Sequence, residues 1–540
     1  MILNFKKISL NKAIWNLAFL LLLSLPNLIA LSFNLSATKL AAVLIPIMFF
    51  VGLSRLVKLS PQKLLLAAIP FFILSYMDLS YLLQYNVQTS AGVIDAIIET
   101  DTRESLEFVK EAPKVLIFSL IIYIVGFFLL FFSAKKLPKH KKGKHNKIIT
   151  FLFILLPIID LLGVGSSARS FPLGMSRAVY LYTQGKIISN RLLKQREAFH
   201  FNAKIVDKKN KENYIFVIGE TSRRDYYSLY GYARDTNPKL SKQDALVIFT
   251  DVIAPANATI PSLKSVLYMA TAEDDSLFYT SKSIISLAKE AQYKTYWFSS
   301  QARFGKYDST TGSTGVAADK TVFINQRRSI FPVYDQELLP LLKKGLDDTD
   351  KLKFIILHLY GSHLAYNRRY PKEYNIFKGI APGYKNHTKD IQNKINEYSN
   401  SIAYTDFILK QTIEITAAKK EPSCVVYTSD HGEYLAESAD ASFTGHGYPI
   451  PYKSEIDVPF LVWCSPEYRE QYPKKWQSII ANRHKKISNE NVFYALADLL
   501  QIDFPLMKPE RSFFNPAYQA KPQRKVRSTL GGLYNYRDLK

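Results

Sequence analysis

The chain has 540 residues, 48% of them hydrophobic, with 70 lysines and arginines against 46 aspartates and glutamates for a formal net charge of +24. That length allows three or four domain-sized units, and that apolar share excludes a chain disordered by composition. Two cysteines exclude a disulfide framework or a cysteine-rich metal cluster, while the basic excess admits nucleic acid, a membrane surface or an anionic substrate until the charges are placed.

Placement points to a bilayer. No charged side chain occurs in 13–38, 40–54, 64–77, 115–134 or 148–159, and uninterrupted apolar runs of this kind predict five membrane-spanning helices within residues 1–165. The second, third and fifth runs fall short of the roughly 20 residues a crossing needs. Each is extended by a lysine that snorkels at its end, or through Asp78 and Asp160. Those two aspartates fall late in outward-running helices and are expected to be solvated near the outer interface. Lys6, Lys7 and Lys12, then Arg55, Lys58 and Lys63, and finally the seven lysines of KKLPKHKKGKHNK at 135–147 mark cytoplasmic segments. The acidic loop at 86–112 faces outward, so five crossings leave the remainder of the chain outside, which in a bacterium is the periplasm. The lysine block thus has a topogenic explanation, and nucleic acid is not an expected partner. The runs are read as lacking the paired, broken segments of a transport path, which argues against a transporter.

Residues 166–212 change composition from a Gly/Ser turn (GVGSSARS) through mixed aromatic and basic segments to the polar run VDKKNKEN. An interfacial linker is expected there. From 213 to 540, short β-rich runs recur: NYIFVIGET at 213, KTYWFSS at 294, KFIILHLYGSH at 353, CVVYTSDHGE at 424 and VPFLVWC at 458. Amphipathic segments such as SIAYTDFILKQTIEITAAKK at 401 lie between them, so the fold class is α/β with a central, largely parallel sheet. Ligands of such sheets gather outside the carboxyl ends of the strands.

Three runs finish with polar groups at that edge: Gly219-Glu220-Thr221, Gly361-Ser362-His363 and Ser429-Asp430-His431-Gly432-Glu433. A lone carboxylate at a strand end is usually a helix cap. Carboxylates and imidazoles from three strands together suit a divalent cation of the zinc or manganese kind. The segment PANATIPS at 255–262 adds Thr259 and Ser262 ahead of a helix. A hydroxyl there is either an N-cap or a nucleophile whose alkoxide a dication stabilises, with the helix N-terminus holding a phosphate.

These residues resemble the bacterial phosphoethanolamine transferases that decorate lipopolysaccharide, members of the alkaline phosphatase and sulfatase superfamily. The motifs that carry the resemblance are VIGETSR at 217–223, GYARDTNP at 231–238, NATIPS at 257–262, LHLYGSH at 357–363, TSDHGE at 428–433 and GHG at 445–447. It implies five membrane helices, a linker and a periplasmic sulfatase-like catalytic domain, anchored in the inner membrane as a monomer. It further implies that Glu220, Thr259, Asp430 and His431 bind zinc, or manganese, with Thr259 the nucleophile rather than Ser262 or Thr221. His363 and His446 match histidines that handle the phosphate or a second metal, and Arg223 matches without an assigned role. Phosphatidylethanolamine is then the donor and lipopolysaccharide, at lipid A or a core sugar, the acceptor. The added amine weakens binding of cationic peptides such as polymyxin. In place of the several disulfides of many lipid A modifying members, only Cys424 and Cys464 are present, both expected as buried free thiols. The alternatives are a phosphoglycerol transferase of the lipoteichoic acid synthase type, a membrane-tethered phosphodiesterase or sulfatase, and a non-catalytic scaffold.

Overall fold

The computed structural model describes residues 12–33, 37–57, 60–85, 94, 114–135, 137, 147–162, 171–206, 211–301, 314–324, 333–438 and 444–540. The chain divides into two units, one of residues 1–98 and 112–187, the other of 99–111 and 188–540.

In the first unit the apolar runs form α1 (Lys12–Leu23), α2 (Leu25–Phe33), α3 (Ala37–Val57), α4 (Pro61–Ala67), α5 (Ile69–Tyr85), α6 (Lys114–Ala134) and α7 (Lys147–Leu162). Among the described residues α6 alone is long and apolar enough to cross a membrane unaided. The pairs α1–α2 and α4–α5 each qualify as one span bent by 69° and 53°, while α3 and α7 carry shorter apolar stretches, Val43–Leu53 and Lys147–Ile159. The unbroken runs expected from hydropathy are therefore bent in two places. Proline is the physical reason: Pro26 and Pro70 stand second in α2 and α5, and each lacks an N–H and crowds the carbonyl four residues back.

Several polar groups inside this unit are paired, as an apolar surrounding favours, although the buried hydroxyls of Ser24 and Ser80 have no partner among the described residues. Trp15 Nε1–H donates to the Leu130 carbonyl at 2.9 Å, and the hydroxyls of Ser75 and Tyr123 lie 2.7 Å apart. Asp78 is only 2% exposed, so it sits inside the unit rather than solvated at a helix end. The side chain of Asp160, most of the acidic loop and lysine block, and residues 163–170 lie outside the described residues. Within the segment expected as a linker, Leu173–Glu197 form helix α8.

The second unit is built on seven strands: β1 (Glu212–Gly219), β2 (Leu246–Phe249), β3 (Lys294–Ser299), β4 (Lys320–Phe323), β5 (Leu352–His358), β6 (Ser423–Ser429) and β7 (Phe460–Cys464). Their order across the sheet is β2-β7-β6-β1-β5-β3-β4. The pairings β6-β1, β1-β5, β5-β3 and β3-β4 are parallel. β7 runs antiparallel to both of its neighbours, so the sheet is mixed.

All eight residues of β1 are buried, the mark of a strand covered on both faces. Alternation along it feeds two cores. Tyr214, Phe216 and Ile218 pack with residues of α9 (Thr259–Val266), α10 (Ile284–Glu290) and a carboxyl-terminal helix, Val492–Leu499. Ile215 and Val217 pack with residues of α11 (Leu338–Leu346) and α12 (Lys389–Ala417) on the other side. Each large apolar side chain so buried is worth ~1.5–3 kcal/mol over its exposed state, enough to fix the register that aligns Gly219 with Ser429 and Ile218 with His358. Three adjacent strands thus end side by side, and everything that follows them projects from one edge. Cys424 and Cys464 face each other across β6 and β7 as buried free thiols.

Candidate metal centre and nucleophile

Glu220 follows β1, and Asp430 and His431 follow β6; all three are at most 1% exposed. One ligand atom from each lies within 4.8 Å of the others. His431 Nδ1 lies 2.7 Å from the Gly432 carbonyl, which orients the ring. Its Nε2 then faces Glu220 Oε1 and Asp430 Oδ2, each at 3.4 Å. Asp430 Oδ1 accepts the backbone N–H groups of Thr221 at 3.0 Å and His431 at 2.7 Å. Asp430 Oδ2 is buried without a hydrogen-bond donor.

Two buried carboxylates in contact with one imidazole demand positive charge. Burial and the neighbouring Glu220 push the Asp430 carboxyl up to about 7. For His431, burial works against the charged form, yet Asp430 and Glu220 outweigh it and push the imidazole up to about 10. A dication meets the same demand through the same atoms. The orphaned Asp430 oxygen and the mixed oxygen and nitrogen donor set therefore fit a metal of the zinc or manganese kind.

Thr259 completes the group. It opens α9 but does not cap it, since the N-cap is Ala258. Its hydroxyl donates to Glu220 Oε1 at 3.1 Å and lies 3.3 Å from His431 Nε2. Ser262, one turn on, is fully buried and donates to the Asp430 carbonyl, tying α9 to the ligand loop. Thr221 is also committed, its hydroxyl donating to Glu220 Oε1 at 2.9 Å. Its φ of 58° is an uncommon backbone state for a β-branched residue. Tyr398 from α12 holds that turn, donating to the Thr221 carbonyl at 2.7 Å and accepting the Arg223 N–H at 2.9 Å. Gly361 has no substitute for a steric reason: with φ at +55°, a Cβ there would lie 2.7 Å from the Glu220 carbonyl.

Both further histidines are brought to this edge. The His446 ring centroid lies 4.2 Å from that of His431 and 6.0 Å from that of His363. His363 Nδ1 has no hydrogen-bond partner, and burial pushes its pKa down to about 4. His446 Nδ1 lies 2.7 Å from Glu433 Oε2, and Tyr366 donates to the other oxygen of that carboxylate at 2.5 Å. Arg223 points away from the centre, pairing with Asp225 and Glu437 and donating to the Glu433 carbonyl at 3.1 Å.

Three participants were not singled out from sequence. Glu433 stood in the same motif as His431, which was the available signal. Gln301, two residues past β3, donates to Glu220 Oε2 at 3.0 Å, and its place just beyond a strand end was a weaker one. Tyr398 lies in the middle of a long helix and offered none.

The model of the sulfatase family matches residues 212–502. The chain is 24% identical over 473 residues to the phosphoethanolamine transferase EptC of Escherichia coli K12, covering 82% of this chain and 81% of that protein. The crystal structure of the periplasmic domain of the E. coli EptC in complex with zinc superposes with a TM-score of 0.59 at 26% identity, over 63% of this chain and 96% of that domain. The fold of the integral membrane lipooligosaccharide phosphoethanolamine transferase A of Neisseria meningitidis is matched over 95% of this chain and 99% of that one, with a TM-score of 0.68 at 18% identity.

Proposed function

Because the chain belongs to the sulfatase family and, within it, to the lipopolysaccharide phosphoethanolamine transferases, we propose that it moves phosphoethanolamine from phosphatidylethanolamine to lipopolysaccharide through Thr259. The observation that carries this reading is the hydroxyl of Thr259 within 3.1 Å of Glu220 Oε1 and 3.3 Å of His431 Nε2.

Glu220, Asp430, His431 and Thr259 are the residues that would hold the metal. Zinc is the first choice, because the related E. coli domain is described with it, and manganese suits the oxygen-rich set as well. A dication bound there lowers the pKa of a coordinated hydroxyl and neutralises charge opposite an anionic phosphodiester. Glu220 Oε1 accepts the Thr259 proton and so orients the oxygen for attack. Thr259 Oγ attacks phosphorus, the bond to the diacylglycerol oxygen breaks, and phosphoethanolamine is left esterified to Thr259. In the second half an acceptor hydroxyl or phosphate oxygen attacks the same phosphorus and releases Thr259. His446 and His363 are placed to pass a proton to the leaving oxygen and take one from the acceptor, and Glu433 holds the His446 ring by Nδ1.

In this reading the amino-terminal runs make five spans, counting the bent pairs α1–α2 and α4–α5 as one each, with residues 166–212 as linker and 213–540 as the periplasmic catalytic domain of a monomeric inner-membrane enzyme. Anchoring raises the local concentration of two lipid-borne substrates. A phosphoglycerol transferase is the less favoured alternative, because relatives matched over 82% and 88% of the chain are named phosphoethanolamine transferases. Mass spectrometry of lipopolysaccharide from cells making the intact protein or Thr259→Ala tests the proposal. Phosphoethanolamine should be added in the first and absent in the second. Labelling of Thr259 by phosphatidylglycerol instead of phosphatidylethanolamine would sink it.

A further inference from the structure

Apart from the Glu220 centre, the second unit holds a cavity of about 570 Å³ whose charged lining is cationic: Arg224, Lys453, Lys486, Arg524 and Arg537, against Asp251 and Asp538. The two carboxylates offset only part of it, since five cations face them. Asp251 is engaged by Arg524 Nη2 at 2.7 Å, and Asp538 accepts from the Asn535 side chain at 3.0 Å. Arg224 is paired with Asp457 at 3.1 Å. Lys453, Lys486 and Arg537 have no carboxylate within ion-pair distance among the described residues. Three unpaired cations around one concavity reinforce each other's potential, where the same charges scattered on a convex surface are screened separately. Tyr536 adds an apolar wall fixed by its hydroxyl, which donates to Asp457 Oδ1 at 2.7 Å.

This cavity shares a turn with the metal centre. Lys453 opens the segment Lys453–Glu455, whose backbone carbonyls hold the loop after His431. Gly432 N–H donates to the Glu455 carbonyl at 2.7 Å and Glu433 N–H to the Ser454 carbonyl at 3.0 Å. The approach is so close that a Cβ on Gly432 would lie 2.2 Å from the Ser454 carbonyl oxygen. A ligand seated against Lys453 is therefore one turn away from the residues that follow His431.

We propose that this cavity binds a phosphate-bearing sugar of the acceptor, anchoring an anionic oligosaccharide while another part of it receives the transferred group. The inference rests on the phosphoethanolamine transfer proposed above. The charge chooses between substrates: a zwitterionic donor head group brings its own ammonium and gains little from a net positive cavity, whereas a phosphorylated sugar gains from each unpaired cation. The volume also suits a ligand of sugar size, within the few hundred Å³ usual for small-molecule sites.

The test titrates the full-length protein in detergent, without donor lipid, by calorimetry. The probes are a deacylated lipopolysaccharide oligosaccharide, the same oligosaccharide after phosphatase treatment, and inorganic phosphate. The phosphorylated oligosaccharide should bind the wild type, and Lys453→Ala/Lys486→Ala/Arg537→Ala should weaken it roughly tenfold, three partly exposed charges each contributing modestly. Lys453→Arg/Lys486→Arg/Arg537→Lys should restore most of the affinity, and added salt should weaken it. In transfer assays the KM for that acceptor should rise by the same factor, with kcat held within about twofold. Equal affinity before and after phosphatase treatment overturns the proposal, as does equal affinity of wild type and triple alanine variant. Tighter binding of inorganic phosphate than of the oligosaccharide also overturns it, in favour of a free-anion site. Because the titration needs no catalysis, it stands or falls separately from the transferase reading.

Discussion

Strand β1 carries a buried carboxylate at each end, and the two ends solve the problem of buried charge differently. Glu212, 2% exposed, has three neutral donors among its partners. Its oxygens accept the hydroxyls of Tyr214 at 2.8 Å and Tyr472 at 2.5 Å and the Gln471 amide at 2.8 Å. Glu220, 1% exposed, also accepts neutral donors, the hydroxyls of Thr221 and Thr259 and the Gln301 amide, but it faces in addition a second carboxylate with an unbonded oxygen and an imidazole between them. The first arrangement spreads charge over dipoles. The second is balanced only by added positive charge. The same residue type is thus structural at the amino end of the strand and a candidate ligand at the carboxyl end, and what surrounds it, not its burial, tells the two apart.

The sharpest way to break this contrast is Glu220→Gln. Transfer should fall by about a thousandfold or more, with bound zinc lost by elemental analysis. The metal-free variant should melt below metal-free wild type, since the amide removes a carboxylate that helps hold His431 charged. Full activity in this variant would end the contrast. Metal removal gives the next largest effect: chelation should destabilise the wild type by about 4 kcal/mol if zinc was at a thousandfold excess over its Kd. Glu220→Gln should show no such shift in melting temperature.

At the other end, Glu212→Ala removes the acceptor of two buried hydroxyls, Tyr214 and Tyr472, and of the half-buried Gln471 amide. Unsatisfied groups of this kind cost ~1–3 kcal/mol each, and a total of about 3 kcal/mol is expected after partial relaxation. Zinc content and transfer per folded molecule should not change. Loss of metal here, without unfolding, would mean that the two ends of β1 are coupled and not merely alike.

How much of this was legible follows from the range of the contacts. The candidate ligands Glu220, Asp430 and His431 stood out in the sequence because each sits within two residues of a strand end, where a carboxylate or imidazole contrasts with an apolar run. Tyr398, which reaches Thr221 across 177 residues of sequence, carries no local mark of its role. Strand direction was equally silent: FLVWC reads the same hydrophobic pattern either way, and only pairing with β2 and β6 shows β7 to be antiparallel. The bends at Pro26 and Pro70 are a different case. The prolines were in view, but a charge-free run reports composition and not axis direction, so two bent pairs were read as straight spans.

Asp406 offers an intermediate between Glu212 and Glu220. It is a fully buried carboxylate on α12 that accepts backbone N–H groups from Lys239 at 3.0 Å and Leu240 at 2.9 Å. Burial dominates those two donors and pushes its pKa from 3.8 up to about 6. The folded state therefore holds a proton that the unfolded chain releases between those two values, so stability falls as pH rises through this window, by something on the order of 3 kcal/mol. Asp406→Asn cannot ionise and should flatten that part of the profile. Melting temperatures of the full-length protein from pH 4 to pH 7, wild type against variant, should diverge as the pH falls, with the wild type gaining stability relative to the variant. Parallel profiles would show that two backbone donors are enough to keep this carboxylate charged, placing it with Glu212 after all.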